Sequence, residues 1–236
     1  MTDAADQASK RPRAMAPYLL LAVLALAGGA TAWASSRSSV PSSTIGPEGV
    51  LVDNVANLAP SSTTLAGQPV DGITCQSQFK EVVKYHIHVH LVIFVDGQMV
   101  RLPAGIGITQ PSLVEKLRGG DFYDVGAKDC LYWLHTHVAD GIIHVESPVK
   151  EGFTLGQFFD VWNQPLSATR VGEARGPVVV FENGRRVMGD PRLTPLLSQG
   201  DIQIDVGTPV VAFRPFHFTV TGGCGEGTNS CSSPIG

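Results

Sequence analysis

The chain has 236 residues, 43% of them apolar and 16% charged, a balance typical of globular proteins and enough for one ordinary domain or two small ones. Its formal charge of -4 and pI near 5.9 leave no basic stripe for tracking phosphates, which excludes nucleic acid as the expected partner.

Lys10, Arg11 and Arg13 precede "APYLLLAVLALAGGATAWA", Ala16 to Ala34, an uncharged run close to the length that spans a bilayer. Positive charge before the run and little after it place the N-terminus in the cytoplasm and the rest outside. Residues 1–34 are expected to be a signal anchor or a signal peptide; Ala32-Trp33-Ala34 has the small-x-small form of a cleavage site. Two localisations are consistent with this. One is a single pass through the cell membrane by residues 16–34, with the C-terminal domain outside the cytoplasm; the other is secretion after cleavage near Ala34. Residues 35–71, rich in Ser, Pro and Thr, read as a tether.

A folded extracytoplasmic domain is expected over residues 72–220, with a first hairpin and a helix in 72–128. "YHIHVHLVIFVDGQMVRLP", Tyr85 to Pro103, alternates with period two around the turn pair Asp96-Gly97. That alternation puts His86, His88 and His90 on one face and Ile87, Val89, Leu91 and Ile93 on the other. In "PSLVEKLRGG", Ser112 with Glu115 three residues on and Gly119 at the end predicts a helix. "GGDFYDVGAKD", Gly119 to Asp129, lacks the ligand spacing of a calcium loop and reads as a solvated connection.

Residues 129–220 carry the order hairpin, helix, strand pair, short helical turn, strand. "LYWLHTHVADGIIHVES" contains Asp140-Gly141, "PVVVFENGRRVM" contains Asn183-Gly184, and both read as hairpins. "FTLGQFFDVW" has Thr154 as N-cap, Gln157 as its capping-box partner, and Phe153 and Phe158 placed as a hydrophobic staple. "TPLLSQG" predicts a single turn capped by Thr194, "DIQIDVG" a strand, and "FRPFHFTV" a further strand or a covering segment, with His217 a core or edge residue. The fold class is α+β, a hairpin-rich mixed sheet with one crossing helix; the element order from Leu131 resembles a β-grasp arrangement. Residues 221–236 form a Gly/Ser-rich tail in which Cys224 and Cys231 can close a loop. Cys75 and Cys130 would then pair, although four cysteines allow three connectivities.

Six of the seven histidines lie in two short runs. With Asp140 and Gly141 as central turn residues, His137 faces His144, His135 faces Glu146, and all four share one face, while Leu134, Thr136, Val138, Ile143 and Val145 share the other. Opposed β-carbons about 5 Å apart let two imidazoles share a divalent cation. If the two runs lie side by side, His86, His88 and His90 join the same field. Imidazole and carboxylate ligands without thiolate suit Zn(II) first and Cu(II) second. His135-Thr136-His137 resembles the first cupin motif, and also the His-x-His strand of α-type carbonic anhydrases. In cupins, however, the acidic ligand comes after a shorter gap than the one to Glu146, and no third ligand strand of the anhydrase kind is recognisable, so no family is assigned.

Two functions fit these residues, and a third is open. The domain captures a divalent transition metal through His135, His137, His144, Glu146, His86, His88 and His90; or the same cluster holds a catalytic metal for a hydrolase or lyase, with Glu146 as general base; or the histidines are only surface, on a cell-surface interaction domain without metal. No nucleophile elbow, phosphate loop or His-Glu-x-x-His helix is present.

Overall fold

The structure is a computed structural model that describes residues 55–61, 66–77, 83–109 and 129–218, together with the backbone pairing of Thr44–Ile45 with Leu51–Val52 and of Pro111–Lys116 with Tyr123–Ala127. The expected membrane segment 16–34 and the tail 221–236, with its Cys224 and Cys231, lie outside the described residues. Among the described residues no helix is long and apolar enough to cross a membrane.

The α+β expectation holds: a seven-stranded mixed sheet packs against one α-helix. Its strands are β1 (Tyr85–Val95), β2 (Gln98–Val100), β3 (Leu134–His135), β4 (Ile142–Ser147), β5 (Val178–Glu182), β6 (Arg185–Arg186) and β7 (Gly200–Val206). They run in the order β6-β5-β7-β1-β4-β3, with β2 paired to β1. The β7–β1 pair is parallel and the others are antiparallel. The eleven-residue β1, from the first hairpin, therefore lies between β7 and β4, so the parts expected on either side of residue 128 share one sheet.

Period-two alternation explains the layering. Ile87, Val89, Leu91 and Ile93 of β1, Leu134 of β3, Ile143 and Val145 of β4, and Ile202, Ile204 and Val206 of β7 are all buried in one core cluster. Helix α1 (Leu155–Val161) supplies the opposite wall with Leu155, Phe158, Phe159 and Val161, followed by Trp162. Its start has the expected capping box: Thr154 Oγ1 accepts from the Gln157 N–H at 3.3 Å, and Gln157 Oε1 accepts from the Thr154 N–H at 3.0 Å. Phe153 and Phe158 both enter the core, as a staple requires. Each fully buried residue of this size contributes about 1.5–3 kcal/mol, so the sheet face and this seven-residue helix depend on each other.

The first and third hairpins form on the expected pairs. Asp96 and Gly97 have φ of 48° and 75°, and Asn183 and Gly184 have 49° and 79°, the left-handed conformations of a type I′ turn. The Cys75–Cys130 disulfide is present, at the end of a separate two-stranded pair, Cys75–Gln76 with Leu131–Tyr132.

Four expectations change. The helix predicted from Ser112 to Gly119 is instead the strand Pro111–Lys116, paired antiparallel with Tyr123–Ala127, which also takes up part of the supposed loop Gly119–Asp129. A helix of about eight residues is marginal alone, whereas Val114 facing Val125 suits a ladder. The short turn falls on Pro191–Leu193, not Thr194–Gly200, because Asp190 caps it by accepting from the Arg192 N–H at 3.0 Å, with Pro191 at the first position. Part of the expected tether lies on the domain: Leu58 packs against the core, its N–H donates to Arg101 O at 2.9 Å, and Trp162 Nε1 donates to Pro60 O at 2.8 Å.

The fourth change concerns the middle hairpin. Its observed register pairs His135 with His144 and Leu134 with Val145, two residues away from a tight Asp140-Gly141 turn. The cause is competition for Thr136. Its N–H donates to Ile106 O at 3.1 Å, its carbonyl accepts from the Gly105 N–H at 2.8 Å, and its hydroxyl donates to Pro103 O at 2.8 Å. The chain therefore leaves β4 after His135, and residues 136–141 form a broad loop closed by the Asp140 side chain on the Ile142 N–H. Within the paired strands a shift of two residues preserves which face each side chain takes, whereas Val138, expected on the core face, is carried by the loop to Ile142, Phe216 and Phe218 instead.

Candidate metal centre

The even shift keeps the polar residues together and gives them new partners. Across three strands, His88 faces His144 and His144 faces His135, while His86 faces Glu146. His137 enters from the loop after β3. The Nε2 atoms of His135 and His137 are 3.1 Å apart, and so are those of His86 and His88. Two nitrogens bound at 2.0–2.1 Å to one tetrahedral ion stand about 3.3 Å apart, so both spacings suit chelation.

Glu146 Oε1 lies 3.2 Å from His86 Nε2, 3.9 Å from His135 Nε2 and 3.8 Å from His144 Nδ1. Donor atoms of His135, His137, His144 and Glu146 fall within 4.8 Å of one another, and those of His86, His88 and His144 do the same. The rings are packed on edge: centroids of His88 and His144 are 4.3 Å apart and those of His137 and His144 are 4.8 Å apart.

Protonation favours ligation. His135 is fully buried, and its Nδ1 lies 2.8 Å from Tyr132 O; a carbonyl only accepts, so Nδ1 carries the proton and the Nε2 lone pair faces the cluster. Burial lowers the His88 pKa to about 4, with adjacent His86 the next cause. Burial and then the nearby His137 push His135 and His144 well below the ordinary 6.5, and burial lowers His86. Neutral imidazoles are the metal-binding form.

His90 stands apart from this group. Its side chain shares the face, but its Nδ1 lies 2.8 Å from Asp201 Oδ1 and its ring stacks on Phe216 with centroids 4.0 Å apart and planes 18° apart. The expected ligand is thus held by a carboxylate of β7, because the parallel β7–β1 register sets Asp201 beside His90. His217 is exposed and belongs to neither group of donors.

The segment 211–218 is the expected covering segment rather than a strand. Asp205 Oδ1 accepts from the Val211 N–H at 2.8 Å, Gln203 Oε1 from the Arg214 N–H at 2.9 Å, and Asp201 Oδ2 from the Phe216 N–H at 2.7 Å. Alternate residues of β7 thereby hold the segment over the histidine-bearing face, and Phe216 and Phe218 pack on Val138 and Ile142 beside the cluster. The polar period of "DIQIDVG" signalled that β7 has a polar face; nothing in the sequence singled out Asp201 or the Tyr132 carbonyl as orienting groups.

No family model, curated protein or solved structure matches the chain. A functional reading therefore rests on the cluster itself.

Proposed function

We propose that this domain captures a divalent transition metal, Zn(II) in preference to Cu(II), on the outer side of a membrane to which residues 16–34 anchor it, or in secreted form after cleavage near Ala34. The observation that carries the reading is the convergence of His135, His137, His144 and Glu146 donors within 4.8 Å, with His135 fixed in the ligating tautomer by Tyr132 O. The absence of a thiolate from the cluster supports Zn(II) or Cu(II) over Cu(I). The disulfide accords with an oxidising compartment. A β-grasp-like relation for residues 129–220 belongs to the same proposal, supported by one helix after a hairpin on a mixed sheet.

The test is metal content by mass spectrometry on the full chain, purified in mild detergent without a histidine tag, before and after Zn(II) or Cu(II) loading. Retained stoichiometric metal that falls in His137→Ala/His144→Ala is the expected result. A native chain without stoichiometric metal overturns the reading and leaves a cell-surface interaction domain.

A second reading, a metal-dependent hydrolase or lyase, is favoured by one observation: Glu146 is within 3.9 Å of three imidazoles yet only partly buried, its side chain 19% exposed. A carboxylate so placed can take a proton from a water that a bound ion acidifies. Turnover of ester substrates that Glu146→Gln abolishes while metal content holds would establish catalysis.

A further inference from the structure

Metal capture by this cluster, the premise on which a second ion depends, leaves more donors than one ion needs. Five imidazoles and a carboxylate converge, whereas a closed tetrahedral site takes four ligands. The donors do not gather into one set. They divide into His135, His137, His144 and Glu146 on one side and His86, His88 and His144 on the other.

The strand order explains the division. His86 and His88 lie on β1 and His135 on β3, with His137 two residues further along; β4 runs between these two strands. Neighbouring strands are about 4.8 Å apart, so the two histidine pairs are rooted roughly 10 Å apart. Each pair closes on itself, with an Nε2–Nε2 distance of 3.1 Å. Each pair has the spacing of a two-pronged chelate.

The residues between them come from β4. Glu146 Oε1 stands 3.2 Å from His86 Nε2 in one pair and 3.9 Å from His135 Nε2 in the other. The His144 ring lies 4.3 Å from that of His88 and 4.8 Å from that of His137, centroid to centroid. Both β4 side chains thus reach toward both pairs, and a carboxylate has two oxygens with which to serve two ions.

We propose that the cluster is a dinuclear centre: one divalent ion held by His86 and His88, a second by His135 and His137, with Glu146 between them and His144 completing either shell. Paired ions in protein sites stand about 3.5–4 Å apart, a separation that one bridging carboxylate accommodates. His90, committed to Asp201 and Phe216, takes no part.

The full chain, in mild detergent and without a histidine tag, would be titrated with Cu(II). Bound metal is counted by mass spectrometry after gel filtration, and the spin is counted by electron paramagnetic resonance. Two equivalents are expected per chain, with the second reducing the integrated signal below that of two isolated ions through spin coupling. His86→Ala/His88→Ala and His135→Ala/His137→Ala, each checked for folding by circular dichroism, should retain one equivalent with an uncoupled signal. Saturation at one equivalent overturns the dinuclear centre and leaves simple metal capture standing; two equivalents without coupling overturn it as well. No bound metal at all overturns both. The wild-type count and coupling decide the matter even if a double variant fails to fold.

Discussion

Replacing Gly107 with alanine tests how the loop beneath the centre positions His135. Gly107 has φ of 69°, a left-handed conformation that costs a residue with a β-carbon about 1–2 kcal/mol. A methyl group there would also overlap the backbone carbonyl oxygen of Leu134 and stand 3.2 Å from His135 Cβ. That oxygen belongs to β3 and cannot rotate away, so the overlap adds about 1–3 kcal/mol, while the stiffer unfolded chain returns about 0.4–1 kcal/mol. Gly72 is the control, with φ of 80° and nothing within 4 Å of an added β-carbon. Urea unfolding should show a loss of about 1 kcal/mol for Gly72→Ala and about 3 kcal/mol for Gly107→Ala. Because Gly107 O also accepts from the Tyr132 N–H at 2.8 Å, and Tyr132 O orients His135, Gly107→Ala should weaken zinc affinity at least about tenfold. Equal stability losses for the two variants, or unchanged affinity in Gly107→Ala, would refute the claim that this turn supports the centre.

Stability of the metal-free chain should fall as pH drops from 6.5 to about 4. His88 is held down to about 4 when folded, so in that window the unfolded chain binds more protons, and the stabilisation is complete only above 6.5. That lowering from 6.5 to about 4 corresponds to about 3 kcal/mol; urea midpoints at pH 7.5 and 4.5 should differ less in His88→Gln, and identical pH dependence in that variant would refute the assignment. The Cys75–Cys130 bond closes a loop with a sequence separation of 55, so Cys75→Ser/Cys130→Ser should cost about 4 kcal/mol in the same assay. A chain begun at Pro69 loses the hydrogen bonds from Leu58 to Arg101, from Arg101 to Ala56 and to Asn57, from Trp162 to Pro60 and from Tyr132 to Gln68. At about 1 kcal/mol each, its stability should drop by about 5 kcal/mol; no drop would show that the residues before Pro69 are dispensable to the domain.

The strands and helix that carry strong local chemistry were legible in the sequence. Asp96-Gly97 and Asn183-Gly184 dictate their turns because both central residues adopt positive φ, and Thr154 with Gln157 marks the helix start through side-chain bonds to nearby backbone. The features without a local signal depend on partners distant along the chain. Asp140-Gly141 has the same local signal, yet Thr136 is claimed by Gly105 and Ile106 some thirty residues away, and the register moved by two. The strand-borne ligands His135, His144 and Glu146 kept their face because side-chain orientation has period two, so an even shift leaves it unchanged; His137 joins them from the loop. His90 is equivalent to His86 and His88 in local pattern, and only the parallel pairing of β7, which sets Asp201 beside it, distinguishes it. Residues 55–61 read as tether by composition, yet Leu58 and Ala59 pack on the core, Ala56 and Leu58 pair with Arg101, and the carbonyl of Pro60 meets Trp162.

Imidazoles of two strands and a loop, with one carboxylate, are the proposed ligands of a divalent transition metal. X-ray absorption at the zinc edge of the loaded full chain reads them without an intermediary, because the ligand atoms themselves scatter. The expected first shell is nitrogen and oxygen at about 2.0–2.1 Å with the outer-shell pattern of several imidazoles, weakened in His137→Ala/His144→Ala. Sulfur at about 2.3 Å, or a shell of water oxygens without imidazole scattering, would contradict it.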